Sequence, residues 1–154
     1  MASAYFDSSA LVKRYVNEVG SAWVRRMLSH PVQEIVYTVL LTQAEVLSAL
    51  QRKVRERQLT QDRATVLAQR VTSHCAWRYR LLAISPALVA HASLLLQRYP
   101  LRAYDAIHLA CALLVQRQAQ QHGVPPPRFV SADATLLMAA SAERFVVDNP
   151  LLHP

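Results

Sequence analysis

Glycine is almost missing from this chain of 154 residues: only Gly20 and Gly123 occur. Loops that cradle phosphates through backbone N–H groups need several glycines at fixed offsets, so fingerprints of that kind are excluded. Cysteine is equally scarce. Cys75 and Cys111 lie inside apolar helical patterns with no C-x-x-C or Cys/His ligand spacing. Both read as buried free thiols, and a reducing cytoplasm is expected. No apolar run approaches the ~20 residues of a membrane span, and no secretory signal is visible at the N-terminus. Internal repeats are lacking, and Pro125-Pro126-Pro127 is the one low-complexity stretch. Acids are few, 10 against 17 basic residues, for a net charge of +7. Only Lys13 and Lys53 among the basic residues are lysines; the rest are arginines, which fork onto phosphates and stack on bases. That balance suggests a polyanionic partner, although an Arg-rich solvated surface accounts for it equally well.

What the chain does contain is apolar: 53% of residues, against 18% charged. Disorder is excluded by that composition, and the length suits a single domain spanning 1–154 with one sizeable core. Short apolar runs alternate with stretches of helical period, which is the signature of an α/β fold. Strands are expected at Ala2–Phe6, Ile35–Thr38, Arg80–Ile84, Arg128–Ser131 and Arg144–Val147. Helices are expected at Ser8–Tyr15, Ser21–Leu28, Leu41–Arg57, Gln61–Cys75, Ala87–Gln97, Arg102–Gln121 and Ala134–Ala140. Ser85-Pro86 supplies an N-cap with proline at N1. His122-Gly123 stops the long helix, and the three prolines keep it from restarting. Helical connections between successive strands predict a largely parallel sheet, in which residues just after each strand converge on one rim.

Four of the ten acids fall on that rim. Asp7 follows the first strand and Asp133 the fourth; Glu45 and Asp105 lie in the first turns of two helices. Each has a plainer role available, because an acid near a helix N-terminus accepts backbone N–H groups and complements the dipole. Glu45 completes a capping-box pattern with Thr42. Capping explains Asp105 least, since Ala106, Ile107, Leu109 and Ala110 make its surroundings look buried, where a lone carboxylate is costly. Taken together, four carboxylates on one rim repel one another unless a cation neutralises them. A hard divalent ion with oxygen ligands meets that need: Mg²⁺, or Mn²⁺, rather than Zn²⁺, given the lack of Cys and His in the cluster.

The segments Tyr5-Phe6-Asp7-Ser8-Ser9-Ala10-Leu11-Val12-Lys13, Thr42-Gln43-Ala44-Glu45-Val46 and Arg102-Ala103-Tyr104-Asp105-Ala106-Ile107-His108-Leu109-Ala110 resemble the PIN-domain nucleases. Phe129-Val130-Ser131-Ala132-Asp133-Ala134-Thr135-Leu136-Leu137 continues the resemblance, trailed by Val146-Val147-Asp148-Asn149-Pro150. Within that superfamily the match is closest to VapC-type toxins of type II toxin–antitoxin pairs, and it runs through nearly the whole chain. It implies a three-layer α/β/α fold with a central, largely parallel five-stranded sheet. It also implies an Mg²⁺-dependent endoribonuclease whose catalytic metal ligands match Asp7, Glu45, Asp105 and Asp133, with the last the least uniform position. Such toxins form homodimers and are silenced by a cognate antitoxin.

On this reading the ion activates water for hydrolysis of an RNA phosphodiester, leaving 5′-phosphate and 3′-hydroxyl ends. Asp7 and Asp105 anchor it, while Glu45 and Asp133 complete the shell, orient the water or hold a second ion. Ser8, and Ser9 beside it, are read as support for Asp7, with helix N-cap chemistry an equally good account of at least one of them. Lys13 and Arg14 are read as contacts to RNA phosphates near the metal or, equally well, as part of a solvated helix face. The Arg52–Arg57 run reads as a solvated helix end or an RNA or partner contact, and His108 as a packed core histidine. Rival readings fit less well. A haloacid-dehalogenase-like phosphatase needs a second Asp where Ser9 stands, and a receiver domain needs paired acids and a late lysine that are not found. A basic RNA- or ribosome-binding module with purely structural acids is the non-enzymatic alternative.

Overall fold

A computed structural model describes residues 2–29 and 34–153. Among them, five strands form one parallel sheet: β1 Ala2–Phe6, β2 Glu34–Val39, β3 Arg80–Leu82, β4 Arg128–Val130 and β5 Val147–Asp148, in the order β3-β2-β1-β4-β5. The helices are α1 Ser8–Leu11, α2 Ser21–Leu28, α3 Leu41–Arg55, α4 Gln61–Trp77, α5 Pro86–Arg98, α6 Ala103–Gln121 and α7 Ala134–Ala142. The expected parallel α/β architecture is therefore present.

Period-two alternation explains the layers. Along β1, Ala4 and Phe6 point to one face and Tyr5 to the other; along β4, Val130 and Phe129 divide in the same way. One core joins Phe6, Val36 and Val130 to α1–α4, including Leu11, Leu28, Leu50 and Val71. The other joins Tyr5, Val39 and Phe129 to α5–α7, including Leu95, Leu109 and Leu136. Strands buried on both faces read as continuous apolar runs, which is why they were legible as parallel strands.

Most other bounds fall within two residues of expectation, and two elements depart further. The first helix ends at Leu11 and tightens into a 3₁₀ turn over Val12–Arg14 instead of running to Tyr15. The last strand begins at Val147, not Arg144, because Arg144 and Phe145 are used to close α7. Arg144 takes the left-handed conformation (φ 68), and the Phe145 N–H returns to the Ala140 carbonyl at 3.1 Å. The other stops act as expected: Ser85 Oγ accepts the Leu88 N–H with Pro86 in the first turn, and Gly123 (φ 65) follows the end of α6.

Strand order reverses between β1 and β4: the chain winds outward through β2 and β3 on one side and through β4 and β5 on the other. In open α/β sheets the crevice at such a switch point, beyond the carboxyl ends of the strands, is where ligands bind. No helix among the described residues is long and apolar enough to cross a membrane.

Candidate active site

At that switch point lies a cleft of about 870 Å³. Its lining includes Asp7, Glu45, Asp105 and Asp133, together with Ser8, Ser9, Arg52, Arg102 and Tyr104. The four expected carboxylates thus share one cleft, though as the side chains stand no three His, Cys, Asp or Glu among the described residues are close enough to share an ion.

Asp7 is the most enclosed, only 3% exposed. Its Oδ1 accepts the Ala10 N–H at 2.9 Å, which caps α1. The Ser9 hydroxyl lies 2.8 Å from both carboxylate oxygens, and Ser131 Oγ donates to Oδ2 at 2.8 Å. Burial pushes the Asp7 carboxyl above its ordinary value; His108, the Ala10 N–H and the two serine hydroxyls pull it down without cancelling the effect. Ser9 is therefore the residue that supports Asp7. Ser8, expected in that role, lines the cleft but makes no hydrogen bond to Asp7 among the described residues. Ser131 was missed. Register could have found it: Phe6 pairs with Val130, so the residues that follow, Asp7 and Ser131, end adjacent strands side by side.

Asp133 caps α7 through Oδ1, which accepts the Leu136 N–H at 3.0 Å. Asp105 is at the third position of α6, and its Oδ2 accepts the Arg102 backbone N–H at 3.3 Å. Asp105 thus has a capping role after all. The Arg102 guanidinium bridges the two acids, with Nε 3.2 Å from Asp105 Oδ2 and Nη2 3.4 Å from Asp133 Oδ2.

Glu45 departs furthest from expectation. Helix α3 starts one residue after Leu40, which offers no side-chain cap, and Thr42 is buried against Thr38, oxygen to oxygen at 2.6 Å. No capping box forms. Glu45 Oε2 instead meets His108 Nε2 at 2.8 Å, and Tyr5 OH meets His108 Nδ1 at 3.1 Å. His108 is packed in the core, as expected, and it also carries a polar contact that its apolar neighbours in sequence gave no sign of.

Lys13 and Arg14 do not line the cleft. Lys13 is buried with its ammonium 2.9 Å from Glu18 Oε1, and Arg14 Nη1 donates to the Tyr79 hydroxyl at 2.8 Å. The expectation that they touch RNA beside the carboxylates is set aside, because both cations are already engaged elsewhere. Arg52 and Arg102 are the cations that do line the cleft.

The donors suit a hard divalent ion. All four are carboxylates, and Glu45 Oε1 and Asp105 Oδ1 have no hydrogen-bond partner among the described residues. The bridging guanidinium of Arg102 marks a place where this rim already holds positive charge.

The sequence profile of the PIN domain family matches residues 4–136. The chain belongs to the PIN domain family. Solved structures share the fold. A toxin–antitoxin complex from Klebsiella pneumoniae superposes with a TM-score of 0.55 at 20% identity, covering 96% of this chain and 97% of that one. VapC20 of Mycobacterium tuberculosis, described as a sarcin–ricin loop cleaving toxin, gives 0.62 at 17% identity over 93% and 96%. FitAcB from Neisseria gonorrhoeae gives 0.60 at 15% identity over 96% and 97%. No curated protein matches the chain closely enough to count as a relative.

Proposed function

We propose that this PIN domain is a divalent-metal-dependent endoribonuclease, acting in the cytoplasm as the VapC-type toxin of a toxin–antitoxin pair. One observation carries the reading: Asp7, Glu45, Asp105 and Asp133 line one cleft at the carboxyl end of a parallel sheet. The PIN family is a family of nucleases, and similar folds include a toxin in complex with its antitoxin and a toxin that cleaves the sarcin–ricin loop. The cognate antitoxin is the second partner, and the working form is a homodimer.

The four carboxylates hold Mg²⁺, for which Mn²⁺ can substitute. Bound there, the ion supplies Lewis-acid polarisation of a phosphodiester and a more acidic water. The chain's own groups do the rest. Asp7, fixed by Ser9, Ser131 and the Ala10 N–H, is the anchoring ligand. Asp105 and Glu45 each offer an oxygen with no hydrogen-bond partner among the described residues, and Asp133 completes the set. Arg52 and Arg102 attract the phosphate backbone to the cleft.

The test is cleavage of RNA by the purified chain with Mg²⁺, with EDTA, and with Asp105→Asn in place of the wild type. Products with 5′-phosphate and 3′-hydroxyl ends, lost on chelation and reduced at least a hundredfold by the substitution, are expected. RNA bound tightly but left intact by the wild type refutes the enzyme in favour of a binding module. The toxin assignment is tested separately: expression of the chain should arrest growth, and co-expression of an antitoxin-like reading frame found beside its gene should relieve that arrest; no arrest, or arrest that no neighbouring frame relieves, refutes it.

A further inference from the structure

Glu45 differs from the other three acids in how it is held. Asp7, Asp105 and Asp133 each accept a backbone N–H at a helix N-terminus. Glu45 accepts none, and His108 is the one hydrogen-bond partner recorded for it among the described residues. Unsupported, a glutamate with three rotatable bonds is poorly fixed.

The histidine is well placed to fix it. His108 is 1% exposed, and its ring stands edge-on to that of Tyr5, with centroids 6.0 Å apart and planes at 81°. Its two nitrogens are both engaged, Nδ1 by the Tyr5 hydroxyl and Nε2 by Glu45 Oε2. An ionised carboxylate only accepts, so Nε2 carries a proton; Nδ1 accepts from the phenol when the imidazole is neutral and donates to the phenol oxygen when it is charged. The chain of hydrogen bonds runs from Tyr5 on β1 through His108 on α6 to Glu45 on α3. It joins the two helical layers at the carboxyl end of the sheet and leaves Glu45 Oε1 unpartnered in a residue that lines the cleft.

We infer that His108, held by Tyr5, is a positioning residue that aims the Glu45 carboxylate into the cleft for metal binding. The inference rests on the metal-site reading of the cleft. His108 touches neither substrate nor metal; it acts through Glu45, as hydrogen-bond partners behind metal ligands commonly do, at tenfold to a hundredfold in affinity.

Titration calorimetry of the full chain with MnCl₂ as the probe tests this. His108→Leu, with Leu chosen for its volume, weakens Mn²⁺ binding about tenfold. His108→Gln, which can return an N–H donor toward Glu45, restores most of that loss. Tyr5→Phe removes the hydrogen bond that holds the imidazole at Nδ1 and gives a smaller loss in the same direction. The decisive measurement is non-additivity: on an Glu45→Ala background, His108→Leu has no further effect on Mn²⁺ affinity. Thermal melts establish that each variant is folded, and the glutamine variant serves if the leucine variant is not. Wild-type affinity in His108→Leu, or a loss that persists on the Glu45→Ala background, overturns the positioning role and leaves the metal site standing. A wild type that takes up no Mn²⁺ overturns both.

Discussion

Replacing Asp7 by asparagine separates two properties that a carboxylate at this position combines. Asparagine is as good an N-cap as aspartate, so the Ala10 N–H keeps its acceptor. The Ser9 and Ser131 hydroxyls are rotors and can turn to accept from the new NH₂ group. What disappears is a nearly fully buried charge. Because burial lifts the Asp7 carboxyl above its ordinary value, the fold favours the neutral form. The unfolded chain therefore gives up this proton at lower pH than the folded one. As pH rises through the window between the two values, the folded state binds more protons, and wild-type stability falls. Above that window the penalty is present in full. Without metal at pH 7.5, Asp7→Asn is expected to be more stable than wild type by ~1–2 kcal/mol, the ordinary scale for neutralising a buried charge. For a chain of this size that is a rise of about 2–8 °C in Tm. The gap narrows as pH is lowered through the carboxylate range. Added Mg²⁺ raises the wild-type Tm by binding the folded state, and raises that of the variant much less. Melts with EDTA or Mg²⁺ from pH 4 to 8 measure all of this. A variant that melts below wild type in EDTA, by an amount independent of pH, refutes the argument.

Arg102 is 82% exposed at its side chain, so its bridge is screened. Arg102→Ala is expected to raise Mn²⁺ affinity only ~2–5-fold, while weakening RNA binding with a shallower salt dependence; unchanged values in calorimetry and filter binding refute it. Lys13→Met breaks an ion pair whose lysine is buried and whose glutamate is exposed. Burial by itself would raise the Glu18 carboxyl, but Lys13, joined by Lys53, holds it below its ordinary value. The stability from that pairing is present above the unfolded carboxylate value and lost as pH falls through the folded one. Urea titrations should show a deficit of no more than ~1 kcal/mol at pH 7, because solvent and Lys53 still screen Glu18, and the deficit should shrink in acid, with RNA cleavage unchanged. Gly20 has φ 85, and a Cβ there would lie 2.4 Å from the Pro150 carbonyl oxygen. Gly20→Ala should cost ~2 kcal/mol or more and lower Tm accordingly; a wild-type melting temperature contradicts that contact.

The fold was legible because its strands are buried on both faces and its helices carry their own start and stop signals. Ser85-Pro86 and Gly123 mark boundaries that side-chain and backbone hydrogen bonds then enforce. The last strand was misjudged because Phe145 and Val146 read as extended apolar chain, whereas the left-handed turn at Arg144 is set by the helix before it. The rim position of the acids followed from strand ends alone. Their partners did not. Ser131 and His108 lie 124 and 63 residues from the carboxylates they bind, and only strand order and the packing of α6 against the sheet bring them there. Lys13 misled for a related reason: nothing local shows that the chain turns back to place Glu18 on its ammonium.

Capping and metal binding looked like competing explanations for each acid, and the geometry makes them complementary. A carboxylate has about four lone-pair directions, and a helix N-terminus takes one or two. Asp7, Asp105 and Asp133 each use backbone N–H groups that a helix end must satisfy anyway. Those bonds leave lone pairs free for the metal ion proposed to bind there and hold the carboxylates in place. The positive ends of α1, α6 and α7 meanwhile offset part of the repulsion among the acids. Glu45 lies too far into α3 to be held by that helix's end, so the same service has to come from a side chain. That is the place His108 fills. Asp105, which sequence context made the hardest acid to explain by capping, turns out to cap; Glu45, which fitted a capping box, is the one that does not. A carboxylate near a helix start without a backbone partner is therefore the member of such a cluster whose support must be sought across the fold.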